Sequence, residues 1–223
     1  MKFLRIFMIC ALLGLTAAPA HAFETPASSP ELVAKLKDMG DVFAPVAGDF
    51  GCTQLTWANF TDPQYRTAQL EYVPAGHDVK NWTRLQTTTV YAMSGRADLD
   101  TDLMGGLAKV LIDNYKKNGN VIDLQYFENG NGEPAFYIEY KIGDGDAQEH
   151  NAGVFMRTSD MAAAFIQIQA RKGEVPRADK VTLLGYLGMA PDGAGKRARE
   201  DKQGASKPQK SVTLPRRKPV KAN

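Results

Sequence analysis

Once the first 22 residues are set aside, Cys52, His77 and His150 are the thiol and imidazole groups this sequence offers for nucleophilic or base chemistry. A cysteine held beside a histidine supplies a thiolate and a general base. The stretch DFGCTQL around Cys52 carries none of the local patterns of cysteine hydrolases, so Cys52 reads as a small buried hydrophobe. Exposed, it would instead link two chains. His77 lies in YVPAGHDVKNWTRLQTTTVY, residues 72–91, just ahead of Trp82. Pro74 and Gly76 mark a turn there, and Trp82 directly precedes a strand that needs a large apolar neighbour. The expectation is that Trp82 plugs one end of a sheet while His77 is solvated. The alternative makes the loop a ligand-contacting rim with His77 as acid or base.

The carboxylates are read the same way. Asp98, Asp100 and Asp102 have the spacing that opens a calcium loop, but Leu103 stands where that loop needs glycine and Lys109 where it needs glutamate. They are expected to serve the start of a helix through capping and its dipole. Asp144 and Asp146, interleaved with Gly143 and Gly145, read as a turn. There is no G-x-S-x-G, H-E-x-x-H, P-loop or dinucleotide fingerprint. His77 and His150 alone do not furnish a histidine zinc site without carboxylates or Cys52. No cofactor or metal is expected, and a hydrolase built from paired carboxylates or Cys52 is kept as an alternative.

Gly105 and Gly106 fall inside the clearest helical pattern, where each costs about 1 kcal/mol against alanine. A close approach to the sheet, or a kink, is the expected reason. A ligand passing over them would give a second alternative, a small-molecule or lipid carrier with a cavity between that helix and the sheet.

The elements that must position these groups begin after MKFLRIFMICALLGLTAAPAHA, which has a basic start, an apolar run and small residues at Ala20 and Ala22. This reads as a signal peptide over 1–22, predicting export to a periplasm. No later stretch has the ~18 apolar residues of a membrane span. A single domain is predicted over 23–190, because about 170 residues bury one core. Residues 23–190 hold 15 basic against 22 acidic side chains, a balance of −7; residues 191–223 hold 10 against 3, or +7. That tail has almost no large apolar side chains and is expected to be disordered.

Ser28, Ser29, Pro30 and Glu31 open a helix with a cap and a first-turn proline, and Gly40 is expected to stop it. Strands are predicted near 50–58, 67–73 and 84–93, then a helix over 98–117 with Leu99, Leu103, Leu107, Val110 and Leu111 along its apolar face. Four strands follow near 121–127, 135–142, 151–157 and 163–171, and a helix from about 177 to 187. Strands joined by short turns pair antiparallel, giving an α+β domain: an antiparallel sheet of about six to seven strands with helices packed on it. Pro74-x-Gly76, then Asn81-Trp82-Thr83, a threonine-rich strand, a long helix and a meander resemble small domains of the Mog1/PsbP-like class over residues 45–188. The resemblance implies an α/β/α sandwich and a role in binding partners without catalysis, and it places no functional residue on this chain.

The expected function is therefore a non-enzymatic periplasmic binding or accessory protein. Lys196, Arg197, Arg199, Arg216, Arg217 and Lys218 of the tail would tether it to a protein or an anionic envelope surface, each charge adding up to about 1 kcal/mol near an anionic membrane. Export argues against nucleic acid as the partner.

Overall fold

The structure is a computed structural model that describes residues 24–27, 29–64, 66–78, 80–128 and 133–188. In chain order it forms α1 (Pro30–Gly48), β1 (Gln54–Phe60), β2 (Thr67–Val73), β3 (Arg84–Ala92), α2 (Ala97–Asn118), β4 (Asn120–Glu128), β5 (Pro134–Ile142), β6 (Glu149–Ser159), β7 (Ala162–Arg171) and α3 (Arg177–Tyr186). The strands make one seven-stranded sheet in the order β1-β2-β3-β7-β6-β5-β4. Every pair in it is antiparallel. Two meanders, β1–β3 and β4–β7, are thus joined along the β3–β7 seam. α2 is the crossover that carries the chain from the middle of the sheet to its far edge. None of the described helices is long and apolar enough to cross a membrane.

Alternation within strands divides the side chains between two cores. One cross-strand row runs Leu70, Thr88, Ile166, Val154, Tyr137 and belongs to the face that α1 and α3 cover. The next row, Thr89, Phe165, Phe155, Phe136, belongs to the opposite face. There Phe136 stacks on Phe155 at 5.4 Å and Tyr115 of α2 sits 4.3 Å from Tyr140. Gly153 makes room for this packing, since a Cβ there would come within 2.9 Å of the Phe165 ring.

The first helix does not stop at Gly40. Ser29 caps it as expected, its Oγ accepting the Leu32 N–H at 3.2 Å, but the helix runs on through Pro45 to Gly48. The reason is packing: a Cβ at Gly40 would meet Leu55 at 2.6 Å, and the Tyr72 hydroxyl donates to the Gly40 carbonyl at 2.7 Å. The glycine lets the helix lie close on β1 and β2, and tertiary contact outweighs its poor helix propensity. Next to β1, Glu24 exchanges backbone bonds with Thr56 and Ala58, at 2.7 and 2.9 Å, so the chain just after the predicted cleavage point covers that sheet edge.

Candidate functional site

The densest set of titratable groups lies under α3. In β5, Tyr137 and Glu139 point to the α3 side, and His150 in β6 is the diagonal neighbour of Glu139. Glu139 Oε1 accepts from His150 Nε2 at 2.9 Å and from Lys180 Nζ, reaching down from α3, at 2.7 Å; Oε2 accepts from the Tyr137 hydroxyl at 3.0 Å. His150 Nδ1 accepts the Val175 N–H at 3.1 Å, which places the single imidazole proton on Nε2. Burial pushes His150 below its ordinary pKa of 6.5, against the pull of Glu139. Burial works to raise Glu139, but the hydrogen bonds from Lys180, Tyr137 and His150 outweigh it and hold the carboxyl below its usual range. A histidine–carboxylate pair can carry a proton. Here both ring nitrogens are engaged and the imidazole is only 2% exposed, so the set fastens α3 and the 172–176 segment to the sheet. Arg84 pairs with Asp179 of the same helix, beside a shallow cleft of about 210 Å³ lined by Thr83, Gln169, Arg171 and Pro176.

Trp82 and His77 form a corner of the fold. Trp82 is buried with Val73 and Leu85, and the Arg171 guanidinium lies 4.0 Å over its ring, so Trp82 plugs the sheet end as expected. The His77 N–H closes a turn onto Pro74 O at 3.1 Å. Contrary to the expectation of solvation, the ring is half-buried and Nδ1 is shielded from water, because the turn folds it back against the protein.

Cys52 and His150 do not form a nucleophile–base pair. The Cys52 thiol points at Phe50 O, 3.8 Å away, and burial pushes its pKa up to about 11. Being fully buried, it is also closed to a second chain. Asp100 turns inward, accepting the Ser94 N–H and hydroxyl at 2.9 and 2.7 Å, the Gly95 N–H at 3.0 Å and Arg157 Nη2 at 2.9 Å. That set of donors, Arg157 foremost, holds its carboxyl well below the usual range and ties the start of α2 to β6. The side chains of Asp98 and Asp146 lie outside the described residues. Among those described, no three metal-ligating side chains gather. Glu71, half-buried in β2, went unnoticed in the sequence; burial raises it to about 7, opposed by a 2.9 Å bond from Gln69.

The largest departure from expectation is α2. Its buried face is Asp100, Met104, Ala108, Ile112 and Tyr115; of the residues expected to be buried, Leu107 and Leu111 do pack against that core, but three turn outward, Leu99 being 50% exposed, Leu103 43% and Val110 66%. Gly105 and Gly106 do not approach the sheet. A Cβ at either would meet nothing within 4 Å. The space between α2 and the sheet is taken by Met104, Ile112, Phe136, Phe155 and Phe165, so the glycines no longer motivate a ligand cavity there. At about 100° per residue, Leu99, Leu103, Gly106 and Val110 fall within about 60° on the outer side of α2. They make a stripe of apolar groups interrupted by a gap. Alternation of polar and apolar residues could not expose this, because α2 carries apolar residues on both sides and the buried side is the one with methionine, alanine and tyrosine.

The basic tail residues Lys196, Arg197, Arg199, Arg216, Arg217 and Lys218 lie outside the described residues, as does the predicted signal peptide over 1–22. No protein-family model and no curated protein matches this chain.

Proposed function

We propose that this chain is an exported, non-enzymatic binding or accessory protein of the periplasm, acting through protein contacts made by the outer face of α2. The basic tail acts as its electrostatic tether to an anionic envelope surface. The observation that carries the reading is the row Leu99, Leu103, Gly106, Val110, opposite the face that α2 spends on the core. Single exposed leucines are ordinary, whereas an aligned row of them along one helix marks a contact surface. The likeness to Mog1/PsbP-like domains supports the same direction, binding without catalysis.

Photo-crosslinking in cells tests this. A benzophenone side chain at position 103 or 110 is expected to give a discrete higher-mass adduct, and one at the exposed α1 position 37 is not. Equal labelling from positions 37, 103 and 110 would remove the outer face of α2 as the contact surface.

A further inference from the structure

Resting on that reading of α2, we propose that the partner seated on its outer face is a second copy of this chain, with the two α2 helices packed antiparallel across Gly106.

The stripe is complementary to its own reverse. Read in opposite directions, Leu99 of one copy lies across from Val110 of the other, and Leu103 lies across from Gly106. Leu103 then enters the open space above Gly106, where nothing of the protein itself comes within 4 Å of a Cβ. Glycine at a crossing lets two helix axes approach to the near end of the usual 8–10 Å range. The fold itself gives no reason for the glycines. α2 bears their cost, about 1 kcal/mol each, with no positive φ and no intramolecular neighbour to account for them.

Charge selects the direction. Asp102 and Lys109 are exposed on the same flank of the stripe, three residues to either side of the Gly105–Gly106 bond. In an antiparallel pair like flanks meet, so Asp102 of each copy lies on the flank of Lys109 of the other, about 3 Å along the axis from it and within reach of its long side chain, and two symmetric ion pairs bracket the crossing. Lys109 already bonds Asp113 in its own helix, which holds its ammonium on that flank. A parallel pair would instead align both macrodipoles.

One helix stripe lies at the small end of protein interfaces, so the dissociation constant should be on the order of 10–100 µM. Sedimentation equilibrium of the purified chain, from about 5 to about 500 µM, is expected to show a monomer–dimer equilibrium in that range. Leu103→Glu, at an exposed position, should raise the dissociation constant at least about tenfold with an unchanged circular dichroism spectrum. Asp102→Lys and Lys109→Asp should each weaken the dimer. The double variant, or an equimolar mixture of the two single variants, should restore it, which no contact elsewhere on the surface would reproduce. A chain that stays monomeric throughout overturns the proposal, and so does a dimer indifferent to Leu103→Glu or to charge reversal. If the purified chain is monomeric while position 103 still gives an adduct with a different protein, the self-association fails and the binding surface stands. If neither appears, both fail.

Discussion

α2 and α3 lie on opposite faces of the same sheet and are attached by different physics. α3 is held by directional polar bonds: Arg84 to Asp179, Lys180 to Glu139, the Val175 N–H to His150, and the Tyr186 hydroxyl to Asp49 at 2.6 Å. α2 is clasped at its start by Asp100 with Arg157 and Ser94, and along its length it rests mainly on Met104, Ala108, Ile112 and Tyr115 against a floor of phenylalanines. Polar attachment fixes a helix in one place and ties it to pH. Apolar attachment needs only one face, and the apolar residues α2 carries on its other face are then left over for something outside the fold.

Breaking the polar attachment should cost stability in a pH-dependent way. His150→Asn removes the imidazole between Glu139 and Val175 and should cost about 1–3 kcal/mol at neutral pH, measured by urea unfolding. Its pH dependence follows from the lowered pKa. Below 6.5 the unfolded chain takes up a proton that folded His150 resists, so stability from this group is complete above 6.5 and falls as pH falls. Glu139, held low, acts in the same direction further into acid. Glu71, raised to about 7, acts oppositely, its contribution declining as pH rises from 4.5 through 7. The gap between wild type and His150→Asn isolates the histidine, with Glu139, Lys180 and Lys141 as the charges around it. It should be widest above pH 6.5 and close on acidification; a gap independent of pH would mean that His150 is held for its shape alone.

The apolar attachment can be sharpened with a smaller change. Gly105→Ala should stabilise the chain by about 0.5–1 kcal/mol in the same assay, since α2 gains helix propensity and the added methyl meets nothing. Destabilisation would show that the outer face is less open than described.

The sequence makes the strands legible because alternation is a local signal. The span 67–73 is found to the residue, with Ala68, Leu70 and Tyr72 inward, and the other strands come within a few residues of their observed ends. The antiparallel sheet with helices on it follows from turn spacing. Three things were not legible. Gly40 reads as a stop only if one cannot see Leu55 and Tyr72 waiting for a helix with no side chain at that point. In α2, periodicity finds the helix but does not choose between two apolar stripes, and the one with Leu99, Leu103 and Val110 turned out to be the outer. The Tyr137–Glu139–His150–Lys180 set was equally hidden, because its members come from β5, β6 and α3 and meet only when register and helix position are both known. The sequence offers His150 to Cys52 or to a zinc site, whereas Glu139 holds it.

The face assignment of α2 underlies the binding surface and its proposed occupant, and neighbours on opposite sides of the helix test it most directly. Urea unfolding of Leu103→Ala and Met104→Ala, at concentrations low enough to keep the chain monomeric, should give a loss of about 2–5 kcal/mol for Met104→Ala and a change within about 0.5 kcal/mol for Leu103→Ala. Equal losses, or a larger loss at Leu103, would contradict the account.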